Sequence, residues 1–241
     1  TCGGVGHLGL RARRPVPGRI LQSQALEGGK KTLQEIVAAI EATQAPSGGW
    51  YHGRRVELNR YGEFTAPTNL CLLTLAQAQE AGVKVNPKVI EKGVTFLMDS
   101  SGPDGAIGYS PKAGQKGFGE AGRNGSSILV FLALGKEKDP FFPLMIDYFR
   151  KRLPTLEKGH ASALLHLMTG ALGNSVLGND DWNRFWDMFG GAIVERQAKD
   201  GAIAPPVGEE LRPEAGQANC EQGDRALATQ ALVLLLPEGK L

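Results

Sequence analysis

The feature that most constrains this fold is an apolar segment that recurs along the chain behind a polar entry. In residues 122–139 (GRNGSSILVFLALGKEKD) a glycine and two polar residues lead into residues 128–134, all of which are apolar. A helix with such a segment is buried on every side rather than along one stripe. The same design returns in residues 159–173 (GHASALLHLMTGALG) and 223–237 (GDRALATQALVLLLP). This recurrence predicts a repeat architecture.

Between these segments lie helices with a single apolar face. The spacing of Leu33, Ile36, Val37 and Ile40 predicts the first, from Lys30 onward. The other predicted faces are Val89, Ile90, Val94 and Leu97; Phe141, Leu144, Met145, Tyr148 and Phe149; and Trp182, Phe185, Trp186, Phe189 and Ile193. Helices buried all round need neighbours on every side, whereas one-faced helices need solvent on one. Their alternation predicts an all-α fold with an inner layer wrapped by an outer layer.

Breaker and capping residues predict several helix ends. Pro67 suits the start of a second helix and Gly82 its end, and Asn86 suits an N-cap ahead of Pro87. By the same rules, further N-caps are predicted at Asp139 and Asp180, and a helix end at Gly173.

The chain divides into an irregular basic arm, residues 1–29, and a helical domain, residues 30–241. The arginines of the arm, Arg11, Arg13, Arg14 and Arg19, are most simply a solvated surface. A net charge of +2 provides no case for a nucleic-acid partner, and no apolar run approaches the ~20 residues of a membrane span. The start TCGGVGHLGL is no signal peptide, so we expect a processed chain or a piece of a longer one. Three scattered cysteines argue against a disulfide framework, and Cys71 is predicted to be a core residue.

Three turns, QAPSGGW (44–50), DGAIGY (104–109) and QAKDGAI (197–203), resemble those of the α/α-toroid superfamily. That superfamily includes terpenoid cyclases, protein prenyltransferase β subunits, complement thioester domains and several polysaccharide lyases. The segments GRNGSS, GHASALLHL and FWDMFGGAIVERQAKDGAI are most similar to an uncharacterised bacterial family within it. The resemblance implies an α/α toroid, open or incomplete with about four helix pairs, in a secreted or cell-envelope protein.

In such a toroid the loops that enter the inner helices converge on one opening of the central cavity, called the mouth below. Helix N-termini there present free N–H groups and positive dipole ends. The resemblance gathers at the mouth Thr68, Asn69, Arg123, Asn124, His160, Asp224 and Arg225. The loop after the first turn would add Trp50, Tyr51, His52, Arg54, Arg55 and Tyr61.

The candidate catalytic residues are His160, His52 and Tyr51, since imidazole and phenol groups serve as general bases. The candidate ligand-binding residues are Arg123, Asn124, Arg54, Tyr61 and Asp224. Each has a structural alternative. Arg123 could pair with a neighbouring acid, His160 and Asp224 could cap their helices, and His166 is predicted to be a satisfied core histidine.

The chemistries of the superfamily fit this chain unequally. Only Asn179-Asp180-Asp181 approaches the acidic motif of terpenoid cyclases, and Cys220 and Gln222 have the wrong spacing for a thioester. Cys220, Asp224 and His160 are zinc-ligand types without a recognisable spacing, so a zinc prenyltransferase-like enzyme is a minor alternative and no metal or cofactor is predicted. Toroid lyases use arginine to neutralise a uronate and histidine or tyrosine to abstract a proton. Those residue types are present, but no motif places them.

Two hypotheses follow for a mouth that binds an extended or anionic ligand, such as a glycan, peptide or small molecule. The first is an enzyme, either a polysaccharide lyase or a hydrolase. The second is a non-catalytic binding module of a larger protein. A close pocket that contains His160, Arg123 and a tyrosine or histidine from residues 51–61 would favour the enzyme. Separation beyond ~10 Å, or pairing with structural acids, would favour the module.

Overall fold

The computed structural model describes residues 27–51, 62–117, 119–158, 163–197 and 199. Within these ranges the regular structure is helical, with two isolated β-bridges, Trp50–Phe64 and Ser101–Ile107. The α-helices are α1 (Glu27–Ala42), α2 (Thr65–Glu80), α3 (Pro87–Asp99), α4 (Ala121–Ala133), α5 (Phe141–Arg152), α6 (Ala163–Leu177) and α7 (Asn179–Glu195). A 3-10 helix (Leu153–Lys158) follows α5. The predicted all-α fold is confirmed.

The helices pack as the alternation predicts. The even-numbered helices α2, α4 and α6 contact one another, with α4 in the middle, and α1 and α3 pack on α2, α5 on α4, and α7 on α6. All residues of α4 from Ala121 to Ile128 are buried, as expected for an inner helix. Closure of these layers into a toroid stays a prediction. The last apolar segment, residues 226–236, lies outside the described residues.

The two inner helices at the ends of this row are not buried on every side. Leu70 of α2 is 45% exposed and Val176 of α6 is 45% exposed. Within the described residues each of these helices has one inner neighbour, α4, which leaves its far side uncovered. Within the described residues, burial all round holds for the first part of α4, Ala121–Ile128, whereas Leu129 and residues 132–134 are partly exposed.

Glycines allow α4 and α6 to approach closely. A Cβ at Gly173 would lie 3.0 Å from the Gly125 Cα, and a Cβ at Gly125 would lie 2.6 Å from the Thr169 carbonyl oxygen. Any side chain there meets backbone, which cannot move aside. The predicted helix end at Gly173 is wrong, since α6 continues to Leu177 and this glycine serves the helix contact instead.

We expect Gly125→Ala to lower the free energy of unfolding by about 2 kcal/mol, because the helices must separate to admit a methyl group. Gly191→Ala is the matched control, since Gly191 is also helical but has open space around its Cβ position. There the better helix propensity of alanine should raise stability by ~0.5–1 kcal/mol. Urea unfolding of both variants measures the difference, and equal stabilities would contradict the close contact.

Several predicted helix ends are confirmed and others are corrected. Asn86 Oδ1 accepts a hydrogen bond from the Lys88 N–H (3.0 Å), which confirms this N-cap. Asp139 Oδ1 accepts one from the Phe141 N–H (2.9 Å), but Pro140 takes the N-cap position of α5. Asp180 lies within the first turn of α7, and Gly178 takes the N-cap position. The helix α2 begins at Thr65 rather than Pro67, and α1 begins at Glu27 rather than Lys30.

Two residues predicted to face inward, Ile36 of α1 and Leu144 of α5, are exposed. All members of the predicted α3 face are buried. The buried members of the α5 and α7 faces are Met145, Phe149, Phe185, Phe189 and Ile193. Exposure of the outlying residues shows that the apolar faces are narrower than their spacing suggested.

The first two glycine turns share one structural device. Gly48 (φ +93°) and Gly105 (φ +89°) adopt the left-handed backbone region. Two residues after each glycine, the Trp50 N–H donates to Thr68 Oγ1 (3.1 Å) and the Ile107 N–H donates to Asn124 Oδ1 (3.0 Å). Both acceptors occupy the fourth position of their inner helix. The repeated turn therefore anchors each inner helix near its N-terminus.

Candidate functional site

The N-terminal ends of α2, α4 and α6 lie at the same end of the helix row. The backbone of Gly122 in α4 packs directly against the His166 ring in α6. The Thr65 N–H at the start of α2 donates to the Tyr109 carbonyl oxygen (2.9 Å), and the Arg123 guanidinium lies 5.5 Å from the centre of the Tyr109 ring. These contacts bring the N-terminal ends of the described inner helices together, as the prediction of a mouth requires.

A buried ionic cluster occupies this end. Glu120 Oε2 lies 2.5 Å from Arg123 Nη2 and 3.4 Å from His166 Nε2. The Arg123 and His166 side chains are 7% and 8% exposed, and the Glu120 side chain is 19% exposed. Burial lowers the pKa of Arg123, and the negative charge of Glu120 opposes that shift. These three residues are called the Glu120–Arg123–His166 cluster below.

One buried donor of Arg123 is unsatisfied within the described residues. None of the described residues accepts a hydrogen bond from its buried Nε–H. A buried donor without an acceptor costs about 1–3 kcal/mol, so an acceptor from a ligand or from water would stabilise it. One face of the guanidinium lies over Tyr109, whose ring stacks on Phe64 with centroids 4.9 Å apart. The guanidinium is therefore held in a fixed orientation.

Tyr148 of α5 lies beside the cluster as a neutral phenol. Its hydroxyl donates a hydrogen bond to the Gly119 carbonyl oxygen (3.0 Å). Burial raises the pKa of Tyr148, while the positive charges of Arg152 and Arg123 oppose that shift. A phenol with a raised pKa is a hydrogen-bond donor at neutral pH rather than a base.

Asn124 is fully buried, and its side-chain amide is committed to the backbone. Its Nδ2 donates to the carbonyl oxygens of Gly105 (2.8 Å) and Met145 (3.1 Å), and its Oδ1 accepts from Ile107. The side chain thus joins α4 to the turn before it and to α5. We assign Asn124 this structural role in place of the predicted ligand contact.

Tyr51, a candidate base, is engaged elsewhere. Its hydroxyl donates to Glu63 Oε1 (2.9 Å), and this hydrogen bond raises the pKa of Tyr51. A tyrosine with a raised pKa is a poor base. Tyr51 lines an open groove of about 450 Å³ between α1 and α2, together with Ile36 and the partly buried Cys71, and burial raises the pKa of that thiol to about 11.

The remaining predicted site residues lie outside the described residues: His52, Arg54, Tyr61, His160 and Asp224. Thr68 and Asn69 lie near the start of α2 as predicted, where Asn69 Nδ2 donates to the hydroxyls of Ser126 (2.8 Å) and Ser127 (2.9 Å). Both thus have structural partners.

Glu120, Tyr109 and Tyr148 were not among the predicted site residues. Glu120 was detectable, because an acid three residues before Arg123 at a helix start suits both an ion pair and the helix dipole. His166 is buried, as predicted for a core histidine, and its acidic neighbour is Glu120. Its place beside Arg123 depends on helix packing, which the sequence does not display.

Residues 28–222 match the model of the family described as "Domain of unknown function (DUF6288)". The chain belongs to this family. Neither the curated proteins nor the solved structures include a significant match to it. The family assignment therefore implies no activity for this DUF6288 chain.

Two further properties concern the described part of the chain. Its helices include none with the length and hydropathy that a membrane span requires. No group of three or more histidine, cysteine, aspartate or glutamate side chains in that part is placed to hold a metal ion.

Proposed function

We propose that this DUF6288 chain is a non-catalytic α/α-toroid module that binds an extended anionic glycan at its mouth. Support comes from the partners of the candidate residues. Arg123 pairs with Glu120, Asn124 holds backbone groups, and Tyr51 donates to Glu63. Pairing with structural acids is the arrangement that favours a binding module over an enzyme.

The observation that carries the proposal is the unmatched Arg123 Nε–H at the converging helix N-termini. A carboxylate is the ligand group that best complements a guanidinium edge, and the helix dipoles add a favourable potential for it. The Tyr109 ring, partly exposed beside Arg123, suits the face of a sugar ring. A polymer of uronic acids combines both groups in each residue.

We expect the chain to bind polygalacturonate, and Arg123→Lys to weaken that binding about 10-fold or more. Lysine keeps the charge that Glu120 needs but loses the Nε–H and the planar fork. A hydrogen bond to a charged group contributes ~1.5–3 kcal/mol, which corresponds to this loss. Isothermal titration calorimetry measures the affinity.

Arg150→Lys is the matched control. Arg150 pairs with Asp181 through two hydrogen bonds of 2.7 Å, which link α5 to α7 away from the cluster. Its substitution should leave the affinity unchanged. An equal loss in both variants would show that general charge, rather than the Arg123 site, is responsible.

A lyase or hydrolase is the second candidate, because arginine, histidine and tyrosine meet in one cluster. These are the residue types that a uronate lyase would use. Incubation with uronic-acid polymers, followed by ultraviolet absorbance for unsaturated products and by a reducing-end assay, separates the two functions. If either product forms, and Arg123→Lys abolishes its formation, the domain is an enzyme rather than a binding module. The zinc alternative rests on Cys220, Asp224 and His160, and measuring zinc in the purified protein tests it.

A further inference from the structure

We propose that protonation of His166 weakens the pairing of Glu120 with Arg123, so that the mouth binds a carboxylate more tightly in mild acid than at neutral pH. Protonation of His166 would draw the shared carboxylate towards the imidazolium and free the guanidinium for the ligand. This inference rests on the proposed function and adds a regulation of the same site.

The geometry that points to this switch is one carboxylate oxygen shared by a guanidinium and an imidazole. Glu120 Oε2 lies 2.5 Å from Arg123 and 3.4 Å from His166. With a neutral imidazole, the charges of Glu120 and Arg123 cancel and the cluster has no net charge. With a protonated imidazole the cluster carries one positive charge, in a buried setting where screening is weak.

Of the three residue types in the cluster, histidine is the one whose unperturbed charge changes between neutral and mildly acidic pH. An unperturbed imidazole titrates near pH ~6.5, within the range that separates neutral from mildly acidic compartments. Tyr109 and Tyr148 are the phenols next to the cluster, and burial keeps Tyr148 neutral through this range. Charged residues on the 3-10 helix and α7 are either ion-paired or exposed. Glu157 pairs with Arg196 and Asp181 with Arg150, and the exposed ones are Lys158, Asp180, Arg184, Asp187 and Glu195.

The ligand itself does not titrate in this window. A carboxyl beside an electron-withdrawing group ionises near pH ~3.5, so a uronate stays charged in mild acid. A change in affinity between about pH 7.5 and about pH 5.5 therefore reports on the protein.

The test is the affinity of the full chain for a short oligogalacturonate, measured by calorimetry at those two pH values. We expect binding to be about 3- to 10-fold tighter at the lower pH, the gain from one added charge near the ligand. His166→Gln should reduce this ratio to below about 2-fold. His7→Gln, in the basic arm, is the control histidine and should keep the ratio.

Glu120→Gln gives a second, independent readout. It removes the competing carboxylate at every pH, so binding at about pH 7.5 should be tighter than in the unaltered chain. Circular dichroism melts establish that each variant is folded. A wild-type affinity that is equal at both pH values, or a pH dependence kept in His166→Gln, would overturn the switch and leave the binding proposal standing. Absence of binding at both pH values would overturn both proposals.

Discussion

Replacing Asn124 with alanine is expected to lower the free energy of unfolding by about 4 kcal/mol. The side chain is fully buried and satisfies two carbonyl oxygens and one N–H, each of which would lose its partner in the interior. A buried backbone group left without a partner costs about 1–3 kcal/mol, and three such groups reach the expected total. Chemical denaturation monitored by circular dichroism measures it.

Asn86→Ala is the matched control for this substitution. Asn86 also accepts a hydrogen bond from the backbone, but it is an exposed N-cap whose partner can turn to water. Its replacement should cost only about 1 kcal/mol. If Asn124→Ala cost no more than Asn86→Ala, the clamp between α4, its entry turn and α5 would not be a major source of stability.

Gly105→Ala is expected to lower the free energy of unfolding by about 3 kcal/mol. Two causes add together at this position. The backbone is in the left-handed region (φ +89°), which costs an alanine ~1–2 kcal/mol, and a Cβ would overlap the Leu144 carbonyl of α5. Thermal and urea unfolding would both register the change.

Gly135→Ala separates the two causes. Gly135 also has a positive φ (+66°), but open space surrounds its Cβ position. Only the backbone cost should appear there, about 1 kcal/mol. Equal effects at Gly105 and Gly135 would mean that the turn does not pack tightly on α5.

Asn124 and Gly105 belong to one structural unit, and that unit also supports the mouth. Asn124 and Gly105 hold the turn that ends in Tyr109, and Tyr109 in turn lies against Arg123. Variants that loosen this turn should therefore weaken ligand binding as well as stability. Arg123→Lys changes the guanidinium itself, whereas Asn124→Ala changes the turn that supports it. Comparing the two variants distinguishes the loss of a ligand contact from the loss of its positioning.

Much of the helical organisation was predictable because it depends on local pattern. The apolar face Val89, Ile90, Val94 and Leu97 and the N-cap Asn86 follow from residue spacing and hydrogen-bonding chemistry within a few residues. The end of α6 was not predictable in this way. Gly173 reads locally as a helix terminator, but its role is to admit Gly125 of another helix.

The same distinction between local pattern and helix packing applies to the residues of the candidate site. Arg123 was found from the sequence because it stands at the polar entry to an apolar segment, and its acidic partner Glu120 is close enough in the chain to have been inferred. The nearness of His166, forty-three residues further on, arises only when α6 packs against α4. For Asn124 the residue type suited a ligand contact, and its three backbone partners decided otherwise.

By itself the sequence determined that this chain is all-α and that inner helices alternate with outer helices, because hydrophobic periodicity depends on neighbouring residues. The tertiary structure alone decided which polar groups meet. Ion pairs and hydrogen bonds between helices depend on distances of a few ångströms between residues far apart in the chain. That is why the polar entry of α4 became a shared carboxylate between Arg123 and His166, a feature that no local pattern contains.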